Sequence, residues 1–331
     1  MKKRLLYSVL LLVCAPLGRI AHGAQPQDCI LQRYTSVNLT VDANRRLIVP
    51  VTIEGTNGSA ILDLGNAFSA IWQNEAAQLK LHQFAFRQGT PDIHWGGAAI
   101  RNYATASIAL GNARFKQVEL MIMPEATRSQ FRIGDAVLAL LGMDLLSRSD
   151  IELDIKHERL ALYAPDHCPD RVVYWADDYA AVPVHRGPLG NFYFPIELNG
   201  KTVEATLSPG NGSSTLSVDV AKKLYGFEPH SGTHLMQMTA KGLNVTNVAI
   251  VLTDYNKPAC ELSTRDGAAA YAGCYGAYPL EIGLDILSKL HLYLATKEKV
   301  LYFTAADTDS VAPNAVSTPS GEQRAEDQGR E

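Results

Sequence analysis

Asp63 closes an apolar run, Ala60-Ile61-Leu62, and is followed at once by Leu64-Gly65-Asn66. A carboxylate at the end of an apolar strand loses hydration, so it must be partnered or put to work. Ser208 occupies the matching place in a second segment, Thr206-Leu207-Ser208-Pro209-Gly210-Asn211. A serine hydroxyl orients a water, or becomes a nucleophile when a base activates it. The stretch LSPGNGSS has no Gly-x-Ser-x-Gly pattern and no histidine placed to activate Ser208, which argues against a nucleophile. Two further aspartates lie in Gly142-Met143-Asp144 and Gly283-Leu284-Asp285. Each opens a short apolar helix, where a structural hydrogen bond is the simpler role. His230 and His234 read as loop residues, and no cysteine or histidine spacing fits a zinc site. No metal and no other cofactor is expected.

The elements that carry these residues are written twice. Arg46 to Trp72 parallels Asn191 to Ser217: an alternating strand, a Gly-containing turn, a second strand, a glycine turn, then a short helix over 75–81 or 218–225. Later, LLGMDLLSRSDIELDIKHERLALYA parallels EIGLDILSKLHLYLATKEKVLYFTA, each a short helix followed by a β-hairpin. Asp63 and Ser208 are 145 positions apart, and Asp144 and Asp285 are 141 apart, so the offset is nearly constant over two landmarks. That is the mark of an internal duplication.

A chain of 331 residues can hold two such units with a substantial core. A net charge of -4, with 19% charged residues and no basic block, gives no reason to expect a nucleic-acid partner. Residues 1–23 read as a signal peptide: basic Lys2-Lys3-Arg4, an apolar stretch to Val13, and small residues Ala21 and Gly23 before the cleavage point. The stretch is too short to span a bilayer, and Val13 argues against Cys14 as a lipidation site. The mature chain is therefore expected to be exported, periplasmic or secreted, with no integral membrane segment. Four cysteines then remain, and an even number in an exported chain suggests the disulfides Cys29–Cys168 and Cys260–Cys274. Residues 165–181, rich in Asp, Pro and Tyr, read as a linker, and 305–331 as a disordered tail.

Together the paired landmarks resemble the retropepsin-like aspartic peptidases, in which each half carries an apolar-apolar-Asp-Thr-Gly turn and a later apolar-Gly-x-Asp-x-Leu. The resemblance implies a mainly β protein: two β-barrel lobes of the acid-protease fold, 29–164 and 182–304, each with a short helix or two, about a pseudo-twofold axis. It implies that the turns at 63 and 208 meet at the centre of a cleft for extended polypeptide. In that family two aspartates share one proton; one activates a water and the other protonates the substrate carbonyl. A flap hairpin, here residues 92–109 with His94, Trp95, Gly96 and Gly97 near its tip, closes over the substrate. Its second-half counterpart is expected over 234–251.

The sequence departs from that pattern where the chemistry lies. Ser208 replaces the second aspartate, and Leu64 and Pro209 replace the threonines that hydrogen-bond across the turns. Pro209 also lacks an N–H. Gly65, Asn66, Gly210 and Asn211 are present to shape the turns. The expectation is a polypeptide-binding relative with hydrolysis lost or weak and Asp63 a relict acid, monomeric rather than homodimeric. Without an opposing aspartate, Asp63 should be ionised at neutral pH unless desolvation dominates. One alternative is an active endopeptidase, using an Asp63 pair in a homodimer or Asp63 alone. Another is a structural envelope protein.

Overall fold

The structure is a computed structural model; it describes residues 31–87, 93–95, 98–167, 169–187, 190–228, 232–241, 243–253, 279–307 and 316–317. The proposed signal peptide and all four cysteines of the proposed disulfides lie outside the described residues.

Each half begins with a hairpin whose residues alternate inward and outward. Leu47, Val49, Val51 and Ile53 are buried in the first, and Phe192, Phe194, Ile196 and Leu198 in the second. Their turns are the same. Glu54 and Gly55 take φ of 47° and 81°, and Asn199 and Gly200 take 46° and 73°. Two successive positive φ values match the right-handed twist of the flanking strands. Each barrel then closes on its first strand: Leu47–Ile53 pairs with Asn102–Leu110, and Phe192–Leu198 with Thr233–Ala240. The molecule is mainly β and two-lobed, as the duplication implies.

A third sheet joins the lobes. Its central strands, Asp150–Asp154 and Leu290–Ala295, come from opposite halves and pair antiparallel with Ile151 opposite Leu294. One face packs into the common core through Ile151, Leu153, Leu160, Leu162, Leu292 and Leu294. The other face carries Asp150, Glu152, Asp154 and His291, and it too is buried. Its cover comes from the stretch expected to be a linker. Val172 and Trp175 are buried against Tyr163, Tyr293 and Tyr302, and Trp175 stacks on His291 with ring centroids 3.8 Å apart. Residues 169–181 are thus a packed strap, and Ala180–Pro183 already belongs to the sheet. Within the stretch expected to be a tail, Val316–Ser317 pairs in parallel with Leu31 and Gln32.

Candidate active site

Two strands carry the site. Thr56–Leu62 ends at Asp63, and Lys201–Leu207 ends at Ser208. Beside each lies the strand that leads into Gly-x-Asp. Val137–Leu141 pairs parallel with the first and Leu280–Ile282 parallel with the second. Asp63 N–H donates to the Leu141 carbonyl at 3.1 Å, and Ser208 N–H to that of Ile282 at 2.9 Å. The chain passes directly beneath the turn at this point. A β-carbon on Gly142 would come within 2.6 Å of the Phe68 backbone, and one on Gly283 within 2.5 Å of Ser213. Only glycine permits that approach.

The aspartates after these glycines are structural. Ser69 donates to Asp144 from its N–H and its hydroxyl, at 2.9 and 2.7 Å, and Ser214 donates to Asp285 at 2.7 Å. The same serine hydroxyls accept the N–H of Gly142 and Gly283. Burial pushes the Asp144 carboxyl up from its ordinary range, against the Ser69 hydrogen bonds. Neither Asp144 nor Asp285 reaches the central pair by any hydrogen bond described.

The turns at 63 and 208 meet. Ser208 Oγ donates to Asp63 Oδ1 at 3.1 Å across the lobes. Asp63 Oδ1 also accepts Gly65 N–H at 3.0 Å, and its Oδ2 accepts the Asn66 amide at 3.0 Å. Gly210 N–H donates as well. Asn211, placed like Asn66, donates its amide to Ser208 Oγ at 3.1 Å. The two turns approach closely at both glycines: a β-carbon on Gly210 would lie only 2.9 Å from Asp63 Cγ, and one on Gly65 a tight 3.1 Å from the Leu207 carbonyl oxygen.

Leu64 and Pro209 hold the turns differently from a threonine pair. Leu64 is buried beside Phe192, Leu207, Leu294 and Leu301 of the second half, so apolar packing joins the lobes there. Pro209 offers its carbonyl, which accepts Leu47 N–H at 3.0 Å.

Burial raises the Asp63 carboxyl above its ordinary range, and the donors Gly65, Asn66, Ser208 and Gly210 pull the other way without reversing it. Desolvation is the largest influence on this acid, the condition under which the sequence reading allowed it to hold its proton above the usual range. The pair can therefore offer one carboxyl that holds its proton to higher pH than usual, one hydroxyl, and two side-chain amides.

The stretch expected to act as a flap contains a separate two-stranded hairpin, Ile93–Trp95 with Ala98–Ile100, in which His94 pairs with Ala99 and Trp95 with Ala98. Gly96 and Gly97 fall between these strands and outside the described residues. Ile100 at its base packs with Ile48, Trp72 and Leu140. The second-half segment 234–251 is not its counterpart. The hairpin Thr233–Ala240 with Leu243–Thr253 matches Asn102–Leu110 with Ala113–Met123 instead. Only residues 226–232 separate the helix Val218–Tyr225 from that hairpin, against 79–101 in the first half. His234 is part of a strand, not a loop, and stacks on Phe227 at 3.8 Å.

One site residue escaped the sequence reading. Glu281 is 5% exposed, and its Oε2 accepts the Asn211 amide at 2.8 Å. A line of side chains thus runs Glu281, Asn211, Ser208, Asp63. The signal was there: Glu281 immediately precedes Ile282-Gly283, where the first half has Leu140 before Leu141-Gly142.

The fold is mainly β, with two barrel lobes that meet at this pair. Residues 49–145 match the aspartyl protease family model, so the resemblance to the retropepsin-like aspartyl proteases rests on the first lobe's own sequence. Among solved structures the chain is similar to conglutin gamma, a basic 7S globulin from lupine seeds, at 11% identity and a TM-score of 0.51, covering 88% of this chain and 100% of that one. It also matches an aspartic proteinase from Irpex lacteus at 12% identity and a TM-score of 0.47, covering 83% of this chain and 98% of that one. No curated protein matches the sequence.

Proposed function

We propose that this chain is an exported polypeptide-binding relative of the aspartic peptidases in which hydrolysis is lost or weak. The observation that carries the reading is the neutral Ser208 hydroxyl 3.1 Å from Asp63, where a shared-proton mechanism needs a second carboxylate. Loss of one member of an acid–base pair costs roughly 10²–10⁴ in rate. The two-lobed fold and the flap hairpin support a cleft for an extended chain, whose backbone a strand edge can pair. Export is supported by the basic and apolar pattern of residues 1–23. A monomer is supported by the clasp itself: Asp63 is buried against Ser208 and Gly210 of its own chain, so meeting a second copy's Asp63 requires the lobes to part.

The test is an unbiased peptide library incubated with the purified mature chain at neutral and mildly acidic pH. Cleavage is read by mass spectrometry and binding by fluorescence anisotropy. Binding without appreciable turnover is expected. Clear turnover abolished by Asp63→Asn would make the protein an active endopeptidase. Absence of both binding and cleavage would favour a structural envelope role.

A further inference from the structure

An apolar row crosses the sheet of the first half and stops at an exposed ring. Leu140 stands in register with Ala70, Ala70 with Met121, Met121 with Tyr103, and Tyr103 with Phe84. Residues in register share a face of the sheet. Leu140 and Ala70 are buried, Met121 and Tyr103 are half-buried, and Phe84 is 37% exposed. The row ends there because Gln83–Ala85 is the outermost strand of its sheet, and all three of its residues are exposed.

The rings at that end are ordered. Tyr103 lies between Phe84 and Phe86, stacked on each with centroids 5.2 and 5.7 Å apart. His82 meets Phe84 edge-on at 4.6 Å. Phe86 packs against the buried cluster that holds Leu140 and Ala70, so the stack is anchored at one end and open at the other. The backbone is open as well. Phe86 N–H donates to the Arg101 carbonyl at 3.2 Å. Hydrogen-bonded pairs alternate along an antiparallel ladder, so Phe84 bonds toward Tyr103, while the N–H and C=O of Gln83 and Ala85 point out of the sheet. Among the described residues no strand pairs with that outer side. The surrounding charge has one sign. Residues 79–87 and 98–105 include Lys80, His82, Arg87 and Arg101 and no aspartate or glutamate, in a chain of net charge -4. All four of these side chains are exposed.

We propose that Gln83–Ala85 is a docking edge for an extended acidic segment of a partner polypeptide. The segment adds to the sheet as a further strand, bonded to the outward groups of Gln83 and Ala85. It sets an aromatic or large apolar side chain beside Phe84, where cross-strand packing continues the row and fixes the register. Acidic residues around that side chain answer the cations of this edge. A second copy of this chain is a poor occupant: two such edges paired antiparallel about Phe84 bring Lys80 and His82 of one toward Arg87 of the other. The edge does not involve Asp63 or Ser208, so the proposal stands or falls apart from the reading of the cleft.

The test uses the purified mature chain and a labelled nine-residue peptide with a central phenylalanine, glutamate on both sides of it and threonine elsewhere. Affinity is measured by fluorescence anisotropy at low and high salt. A benzophenone analogue in place of the central phenylalanine maps the site, because trypsin releases Leu81–Arg87 as one fragment. The crosslink should fall in that fragment, and binding should weaken as salt rises. Phe84→Ser removes the end of the row. Ala85→Pro removes one outward N–H, a change that an edge strand tolerates. Each should weaken binding about fivefold or more, with melting curves as the folding control. Methylating the peptide's own backbone nitrogens that face the edge should do the same without any change to the protein. A peptide with lysine for glutamate, or serine for phenylalanine, should bind more weakly by a similar factor. Absence of binding overturns the proposal. So does a crosslink confined to other fragments, affinity unchanged by backbone methylation, or equal binding of the glutamate and lysine peptides.

Discussion

Gly210 lies against the carboxyl of Asp63 so closely that a β-carbon would sit 2.9 Å from Cγ and Oδ2 and 3.0 Å from Cβ. Asp63 cannot move aside easily, because hydrogen bonds from Gly65, Asn66 and Ser208 fix it. Gly210→Ala should therefore destabilise the protein by about 1–3 kcal/mol through overpacking. Gly65→Ala meets its nearest atom at 3.1 Å and should cost less. Urea unfolding of both variants checks the order; a wild-type midpoint for Gly210→Ala would mean that the two turns are not in contact.

Leu64 replaces a polar link with an apolar one. Its side chain is buried beside Phe192, Leu207, Leu294 and Leu301, which belong to the other half. Leu64→Ala should cost about 2–5 kcal/mol, the range for opening a cavity in a core that relaxes only partly. Calorimetry should show the melting temperature falling. A loss below about 0.5 kcal/mol would place Leu64 at the surface.

Much of this was legible because alternation and glycine spacing are local signals. The hairpins at 47–62 and 192–207 and the helix Val218–Tyr225 follow from them, whereas the meeting of Asp63 with Ser208 was implied by the family resemblance that the paired turns carry. Alternation tells which residues share a face, but not what covers it. Asp150, Glu152 and Asp154 alternate with Ile151 and Leu153, which reads as a half-exposed strand; the structure buries all five, the apolar pair in the common core and the acidic face beneath a strap whose composition suggests a linker. Glu281 was missed for a related reason. One charge in a three-residue strand is weak evidence alone, and its meaning comes from comparison with Leu140.

The buried face of the joining sheet predicts acid lability. Burial alone would raise the Glu152 carboxyl, but hydrogen bonds from His291 and Tyr163 and the charge of Arg159 outweigh it and hold it below its ordinary range. His291 Nε2 lies 2.9 Å from Glu152 Oε1 and Arg159 2.6 Å from it. A carboxyl lowered in the folded state contributes stability that is present above its unfolded pKa and lost as pH falls through the folded one. Stability should drop below the ordinary glutamate range in the wild type and change less over that window in Glu152→Gln. The variant itself should lose about 3–5 kcal/mol at neutral pH, because it breaks a buried charge network. Urea unfolding across the acid range measures both; parallel pH profiles would exclude Glu152 as the titrating group.

Asp63 predicts the opposite sign. Burial raises its carboxyl above the ordinary range in the folded state. Its contribution is therefore present below the unfolded pKa and lost as pH rises through the folded one. The carboxyl carbon resonance of Asp63 should titrate above the usual aspartate range. Ser208→Ala removes a donor to Oδ1 and should move the midpoint higher still. A midpoint at or below the ordinary value would mean that the donors, not desolvation, govern this acid.

Restoring the second carboxyl tests whether catalysis was lost at position 208 itself. Ser208→Asp would place a carboxyl beside Asp63, whose Oδ1 is 3.1 Å from the present hydroxyl. Two carboxyls so close cannot both ionise cheaply, so they share a proton and titrate as a pair. The Asn211 amide that now donates to Ser208 Oγ lies on hand to hold the new group, as Asn66 holds Asp63. One acid can then activate a water while the other protonates the peptide carbonyl. Pro209→Thr returns a backbone N–H to the turn, whereas Leu64→Thr puts a hydroxyl among Phe192, Leu207 and Leu294, at a cost in stability. The single variant should show acid-dependent cleavage of peptides that the wild type binds, with a rate gain of order 10² or more. Adding Pro209→Thr should raise it further, and adding Leu64→Thr should lower the melting temperature. Cleavage is followed by mass spectrometry from pH 3 to 7. If Ser208→Asp folds, binds the same peptides and titrates as a coupled pair yet cleaves none of them, the missing carboxylate is not what silences the site.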